Sequence, residues 1–192
     1  MKIILFLLSA LFLASIAWLL STREPLPRVP VAWVDPDPVS RGKYLVKLGG
    51  CTDCHTPKIV TEKGPVDDAR RLFAGHPSDV ILPPAGLDPK NPWGAATAGM
   101  TAWSGPWGVS YASNLTPDVE AGIGSWSERE FIDTFRTGKH RGSGRDILPP
   151  MPWQPLSEAR EEDIAAIFAY LKSLPAVSNK VPSPMAPVIA TR

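Results

Sequence analysis

Cysteine is scarce in this chain. Its 192 residues include only 2 cysteines, Cys51 and Cys54, and both lie in one short stretch. No further cysteine remains for a structural cross-link, so a disulfide framework is excluded as the purpose of this pair. The two thiols must therefore serve a local, chemical purpose.

An excess of charge of one sign is also lacking. The chain has 20 lysines and arginines against 19 aspartates and glutamates, for a formal net charge of +1. No run of basic residues interrupts this balance. Nucleic acid is therefore excluded from the expected partners, because its recognition needs a basic face.

Proline, in contrast, is abundant, with 22 residues. Each proline fixes φ and removes a backbone donor, so the sequence predicts a loop-rich domain with few helices. Residues 56–126 are rich in glycine, proline and tryptophan and show no sustained periodicity. Such a long connection indicates that a large buried group holds it, with short strands predicted near Val66–Phe73 and Trp107–Ser113.

The N-terminal residues 3–20 carry no charged side chain and follow Lys2. This stretch is longer than the apolar region of a typical signal peptide and close to the length of a membrane span. We therefore expect residues 1–22 to form a transmembrane helix that anchors the chain, with a cleaved signal peptide as the alternative. In both cases the body of the protein is exported, and Lys2 favours a cytoplasmic N-terminus. The proline-rich residues 23–39 are predicted to form an extended tether or a strap packed on the domain.

Three helices are predicted after the tether. The first runs from Ser40, as N-cap, to Leu48, with two glycines as the stop. The second begins at Ser127, where Ser-Glu-Arg-Glu fits a capping box, and ends near Gly138. The third runs from Ser157 to about Leu174, with acidic residues at its start and one apolar stripe. The stripe consists of Ile164, Ile167, Phe168, Leu171 and Leu174.

The residues Cys51-Thr52-Asp53-Cys54-His55 follow the first helix. The pattern Cys-x-x-Cys-His is the attachment signature of c-type haem. Two cysteines on one turn can form thioethers to the two vinyl groups of one porphyrin, and the next residue offers an imidazole to the iron. A zinc site would need two more nearby ligands. A dithiol redox pair would be expected at a helix start in a βαβ unit, whereas this pair follows a helix.

A sixth iron ligand has five candidates, which are Met100, Met151, Met185, His76 and His140. Met151 is favoured because prolines on both sides stiffen its loop between the second and third predicted helices. Met185 falls in a C-terminal segment predicted to be extended or disordered, and Met100 follows a flexible Ala-Gly pair. A vacant or histidine-filled sixth position remains the alternative. Ligation by His55 and Met151 would raise the reduction potential and suit electron transfer.

The chain resembles the monohaem class I-type cytochrome c domain of bacterial periplasmic cytochromes. It is also similar to the cytochrome c domains in the cytochrome subunit of membrane-bound alcohol dehydrogenases. The resemblance is carried by Arg41 to Leu45, Cys51 to Thr56, Ser113 to Asp118, Gly122 to Trp126, Leu148 to Pro152 and Asp163 to Leu171.

The resemblance implies a mainly α cytochrome c fold over residues 40–178, with long Pro/Gly-rich loops and the first and last helices crossing beside the haem. It also supports Met151 as ligand. Asn114 or Trp126 could bind a haem propionate, with ordinary loop packing as an equal alternative, so neither is counted among the site residues. Residues 179–192 are expected to be an extended C-terminal tail. The alcohol dehydrogenase subunits carry several such domains, whereas this chain carries one motif, so the partner does not follow from the resemblance.

The predicted function is that of a respiratory-chain electron carrier, or electron-transfer subunit, rather than an enzyme. Cys51, Cys54, His55 and Met151 would bind one covalent haem c, with iron held by His55 and Met151. The haem domain is expected in the periplasm, anchored to the bacterial inner membrane. Its partners would be redox proteins: a dehydrogenase subunit, another cytochrome or a terminal oxidase. The alternative is a haem enzyme or gas sensor with an open sixth position.

Overall fold

The computed structural model describes residues 15, 16, 18, 37–83 and 93–187. The chain divides into two units, residues 1–34 and 35–192. Five α-helices lie within the described part of the second unit: α1 Pro38–Leu48, α2 Cys51–His55, α3 Glu128–Thr137, α4 Trp153–Ser157 and α5 Glu161–Lys172.

Helix α1 begins two residues before the predicted start. Its N-cap is Asp37, whose carboxylate accepts from the backbone N–H groups of Val39 at 3.2 Å and Ser40 at 3.1 Å. The prediction of Ser40 as the cap was wrong, because its hydroxyl instead donates to Asp37 at 2.7 Å from inside the first turn. Pro38 suits the first helical position, where no N–H partner is needed.

Helix α3 follows the prediction closely. The capping box is confirmed: the Glu130 N–H donates to the Ser127 hydroxyl at 3.2 Å, and the Ser127 N–H donates to the Glu130 carboxylate at 2.8 Å. The helix ends at Gly138, whose φ of 68° is the left-handed conformation that favours glycine. A Cβ on Gly138 would also lie 2.5 Å from the Trp153 ring, so only glycine fits here.

The third predicted helix, from Ser157 to about Leu174, corresponds to α5, which begins later, at Glu161; the short helix α4, which was not predicted, ends at Ser157. The Arg136 guanidinium donates to the carbonyls of Ser157 and Ala159, at 2.8 Å for Ala159. These carbonyls are therefore satisfied by a side chain from α3 rather than by a continuous helix. The apolar stripe is confirmed, since Ile164, Ile167, Phe168 and Leu171 are all buried.

Helices α1 and α5 cross at close range. A Cβ on Gly42 would lie only 1.9 Å from the Ala166 carbonyl oxygen, so the two backbones approach where glycine has no side chain. The Arg41 Nε also donates to Asp163 at 2.5 Å across this crossing. The core beneath it consists of Val46, Phe73, Ile123, Phe131, Ile132, Phe135, Ile164, Ile167, Phe168 and Leu171.

Two small antiparallel sheets join the helices. The first pairs β1 Lys58–Thr61 with β2 Gly64–Asp67, and the second has the order β3 Ala95–Ala96, β4 Ala102–Gly105 and β5 Gly108–Tyr111. The predicted strand near Trp107–Ser113 is confirmed at β5. The strand predicted near Val66–Phe73 ends at Asp67, because Asp68 caps a 3₁₀ turn, Ala69–Arg71, by accepting from the Arg70 N–H. The described residues therefore mix helix and sheet, and the prediction of a mainly α fold holds only in part.

The C-terminal segment 175–187 has no helix or strand, but it is held on the domain. The side chain of Asn179 is buried, and the backbone of Met185 exchanges hydrogen bonds with Val109 at 2.9 Å and 3.0 Å. This segment thus extends the edge of β5 at one residue.

The predicted membrane anchor, residues 1–22, lies outside the described residues except for Ser15, Ile16 and Trp18, and the predicted tether lies outside them up to residue 36. Among the helices that the structure describes, none has both the length and the apolar character needed to cross a bilayer.

Candidate functional site

The Cys-x-x-Cys-His motif forms a helix of its own. Gly50 has a φ of 62°, and this left-handed residue separates α1 from α2, which runs from Cys51 to His55. Cys51 and Cys54 are therefore three residues apart on one helical turn. Both thiols are free and half-buried. The expectation that the pair lies at a helix end was wrong, because it opens a new helix.

Desolvation distinguishes these thiols from a reactive dithiol pair. Burial raises the pKa of Cys51, and burial together with Asp53 raises the pKa of Cys54. A dithiol oxidoreductase instead needs a thiolate stabilised by a lowered pKa. Within the described residues, no group of three His, Cys, Asp or Glu side chains could hold a metal ion, so the cysteines have no further zinc-type donors beside them.

His55 is held in one tautomer. Its side chain is 9% exposed, and Nδ1 lies 2.8 Å from the Ser113 carbonyl oxygen. A carbonyl can only accept, so Nδ1 carries the proton and Nε2 keeps a free lone pair. Burial lowers the pKa of His55, which keeps the ring neutral, while the bond to Ser113 acts in the opposite direction.

The Nε2 atom of His55 makes no hydrogen bond to the described residues. In that part of the chain, every side-chain nitrogen or oxygen sealed from solvent has a hydrogen-bond partner. Nε2 therefore faces accessible space with its lone pair available. Such an arrangement, with the second ring nitrogen fixed by a carbonyl, is typical of a metal-ligating histidine.

Met151 lies in the loop between α3 and α4. It is partly buried and packs against the same hydrophobic core that Cys51 contacts. The loop is fixed from the second sheet: the buried Ser110 hydroxyl donates to the Pro149 carbonyl at 2.5 Å and accepts from the Trp107 Nε1 at 3.3 Å. The Met151 thioether is therefore carried by a loop whose backbone is fixed, and it packs against the core that Cys51 also contacts.

The other candidate ligands have different surroundings. His76 is 1% exposed and uses both ring nitrogens, with Thr101 Oγ1 at 2.9 Å and the Val80 carbonyl at 3.2 Å. Met100 is exposed on a turn. Met185 lines a cavity of about 250 Å³ together with residues of β4 and β5. His140 packs edge-on against the Trp126 ring at 4.8 Å between centroids.

Asn114 and Trp126, the candidate propionate partners, have different surroundings. The Asn114 amide donates to the carbonyls of Val177 at 2.8 Å and Asn179 at 3.2 Å, and its oxygen accepts twice from Thr116. Its hydrogen-bonding capacity is thus used within the protein. Trp126 contacts Phe131 and His140 and lies under the Arg141 guanidinium at 5.6 Å.

Several residues around this site were not singled out individually by the sequence. Ser113 acts through its backbone carbonyl, so its side-chain type does not mark it. Ser110 and Asn179 are ordinary polar residues until their burial and contacts are known. The role of each is known only from its hydrogen-bond partner, which lies far away in the sequence.

The donor set fits haem c. It combines two free thiols on one turn, an imidazole with a free Nε2, and a thioether on a constrained loop against the same core.

No protein-family model matches the sequence. The chain is 38% identical over 90 residues to a nicotinate dehydrogenase subunit of Pseudomonas putida, covering 47% of this chain and 8% of that protein. It is 30% identical over 132 residues to the cytochrome c subunit of alcohol dehydrogenase (quinone) from Gluconacetobacter polyoxogenes, covering 69% of this chain and 21% of that subunit. It is 28% identical over 133 residues to the fructose dehydrogenase cytochrome subunit of Gluconobacter japonicus, covering 69% of this chain and 20% of that subunit.

The chain spans about a fifth of the length of the cytochrome subunits that it matches, and less of the nicotinate dehydrogenase subunit. Over that region the resemblance found in the sequence is confirmed. The chain carries a cytochrome c domain similar to those in the cytochrome subunits of dehydrogenases.

Proposed function

We propose that this chain is a membrane-anchored periplasmic c-type cytochrome that transfers single electrons through one covalently bound haem c. The observation that carries the proposal is His55, whose Nδ1 is bonded to Ser113 and whose Nε2 is free, at the end of the turn that presents both thiols. The chain would be an electron carrier or an electron-transfer subunit rather than the catalytic subunit.

Cys51 and Cys54 are proposed to attach the haem. Each thiol would hold one vinyl group of the haem through a thioether, formed by addition of S–H across the double bond, with sulfur on the inner carbon and hydrogen on the outer carbon. Nothing is lost and no oxidant is consumed, so the protein gains the mass of one intact haem. The spacing on one turn of α2 holds both thiols on the same side of the helix.

His55 and Met151 are the residues proposed to hold the haem iron. His55 would bind through Nε2, because Nδ1 is occupied by the Ser113 carbonyl. Met151 would bind through its thioether, held by a loop that Ser110 fixes at Pro149. When bound, haem supplies a one-electron couple at its iron, and a His/Met ligand pair raises its potential.

The proposed donor is a dehydrogenase. The relatives are named as subunits of dehydrogenases for alcohol, fructose and nicotinate, which supports a partner of that class. The acceptor would be another cytochrome or a terminal oxidase of the respiratory chain. We also propose that residues 1–22 anchor the chain in the bacterial inner membrane, with residues 23–39 as tether and residues 40–178 as the haem domain, because residues 3–20 are uncharged and follow Lys2.

The full chain, produced in a bacterium that attaches haem c, tests the site. We expect a mass gain of one haem that survives denaturation, a low-spin spectrum in both oxidation states and negligible carbon monoxide binding. A chain without covalent haem would overturn the assignment of the motif. A high-spin spectrum with rapid carbon monoxide binding would instead support an enzyme or gas sensor.

Location and partner need separate measurements. Alkaline washing of membranes should leave the chain in the membrane fraction, and N-terminal sequencing should find residues 1–22 intact. Copurification in mild detergent should recover a dehydrogenase whose substrate reduces the haem. Release by the wash, or a haem that no copurifying dehydrogenase reduces, would contradict the anchor and the partner respectively.

A further inference from the structure

We propose that Asn179, in the C-terminal segment, is a positioning residue for His55 and thereby tunes the reduction potential of the haem. This inference rests on the proposed function, because it treats His55 as the axial ligand. Asn179 does not touch His55. It acts through the backbone of two loops, residues 74–78 and 112–116, which together hold the Ser113 carbonyl against Nδ1.

The first loop is held directly by the Asn179 side chain. Nδ2 donates to the carbonyls of Ala74 at 2.6 Å and His76 at 2.8 Å, and Oδ1 accepts from the Ser78 N–H at 2.9 Å. The residue is 7% exposed; its bonds to the two carbonyls are buried, and its bond to the Ser78 N–H is partly buried. All three partners are backbone groups of one short loop, and two of them flank Gly75.

Gly75 connects this loop to the site. Its N–H donates to the His55 carbonyl at 2.8 Å, and its φ of 75° is in the left-handed region. A Cβ at this position would lie 2.7 Å from the Ser113 carbonyl oxygen and 2.6 Å from its carbon. The Gly75 backbone therefore packs directly against the Ser113 carbonyl, which accepts the hydrogen bond from His55.

The second loop is tied to the same C-terminal segment by Asn114, which follows Ser113. Its Nδ2 donates to the carbonyls of Val177 at 2.8 Å and Asn179 at 3.2 Å. The His76 N–H also donates to the Ala112 carbonyl at 2.9 Å, which joins the two loops. The Ser113 carbonyl thus belongs to one of two loops, 74–78 and 112–116, that are both hydrogen-bonded to residues 177–179.

These contacts of residues 177–179, called the clamp below, matter because the bond from Nδ1 to Ser113 affects how strongly Nε2 donates to iron. A strong bond to a carbonyl orients the ring and makes Nε2 a better donor, which favours the ferric state. Removing the Asn179 amide leaves two buried backbone carbonyls and the partly buried Ser78 N–H without that partner, and the loop must shift to find water. The Ser113 carbonyl would then retreat from Nδ1, and the potential would rise.

The experiment compares Asn179→Ala and the milder Asn179→Ser with Ile164→Val. Ile164 is fully buried in α5 and makes no hydrogen bond to the clamp through its side chain, so its variant loses stability through packing alone. All three are studied as full-length holoprotein. The readouts are the reduction potential by electrochemical titration, the exchange rate of the His55 Nδ1 proton by NMR, and the denaturant midpoint.

For both Asn179 variants we expect the ratio of ferrous to ferric protein at fixed applied potential to rise about threefold, with faster exchange of the Nδ1 proton. Ile164→Val should lower the denaturant midpoint without either change. An unchanged potential and exchange rate in a haem-loaded Asn179→Ser protein would overturn the inference while leaving the proposed function intact. Wild-type chain that fails to attach haem would instead refute the proposed function.

Discussion

The Ser110 hydroxyl lies 2.5 Å from the Pro149 carbonyl oxygen, and this bond joins β5 to the loop that carries Met151. The two residues are 39 positions apart in the chain. Pro149 and Pro150 restrict the loop's own backbone, whereas Ser110 fixes its position relative to the sheet. The Met151 thioether is therefore placed by contacts from outside its own loop.

Replacing Ser110 with Ala should loosen this loop. The Pro149 carbonyl loses its donor, at a cost of about 1 kcal/mol. We expect added imidazole to displace Met151 about fivefold more readily, as measured by a visible titration of the ferric protein. Ser104→Ala, on the neighbouring strand β4, is the matched control. Equal imidazole affinity in the two variants would contradict a role for Ser110.

Met151→Ala tests the sixth ligand directly. We expect the weak far-red band of sulfur-ligated ferric haem to disappear, carbon monoxide to bind the ferrous form, and the potential to fall. Met185→Ala removes a thioether from the cavity beside β5 and should change none of these spectra. A band that persists in Met151→Ala and vanishes in Met185→Ala would assign the ligand to Met185.

The two cysteines can be separated by single and double replacement. Cys51→Ala and Cys54→Ala should each retain haem through one thioether, while the double variant should lose all haem on denaturation. Haem staining of a denaturing gel and the intact mass measure this outcome. Covalent haem in the double variant would show that attachment uses other residues.

The Glu130 carboxylate should account for part of the loss of protein stability at low pH. Hydrogen bonds from Arg141 and Ser127 lower its pKa from about 4.5 to about 2. Because the folded pKa lies below the unfolded value, the carboxylate stabilises the protein above about pH 4.5, and this contribution is lost as the pH falls toward 2. The wild-type denaturant midpoint should therefore fall more steeply over this range than that of Glu130→Gln.

Glu128→Gln is the control for that titration. It removes one negative charge from the same first turn of α3 while leaving the capping box and the Arg141 pair in place. Its midpoint should follow the wild-type dependence on pH. If Glu130→Gln follows it as well, the Arg141 pair does not contribute to acid stability.

Gly42→Ala tests the crossing of α1 and α5. The added methyl would meet the Ala166 carbonyl and the Tyr170 Cβ, both of which are fixed to the α5 backbone and cannot rotate away. We expect the free energy of unfolding to fall by about 1–3 kcal/mol, measured by urea denaturation. Gly99→Ala is the control, because its nearest neighbour would be 3.8 Å away. Similar losses in both variants would contradict a specific contact at the crossing.

Local signals in the sequence predicted the helices well. The box at Ser127 to Glu130 and the stop at Gly138 depend only on neighbouring residues, so they could be read directly. The predicted helix starts were wrong where a hydrogen bond from a residue outside the predicted helix decides the boundary. Asp37 displaced Ser40 as the cap of α1, and Arg136, from another helix, satisfies the carbonyls between α4 and α5.

For the site, the sequence by itself determined which groups are present: two cysteines three positions apart, an adjacent histidine, and a methionine framed by prolines. Residue type and spacing suffice for that, since covalent and ligand chemistry depend on which atoms are present. Only the tertiary structure decided how these groups are held. The Nδ1 partner of His55 is a backbone carbonyl 58 residues away, and the next residue, Asn114, is bonded in turn to the carbonyl of Val177. Such partners leave no pattern in the sequence, because any residue supplies a carbonyl and only the fold brings it within reach.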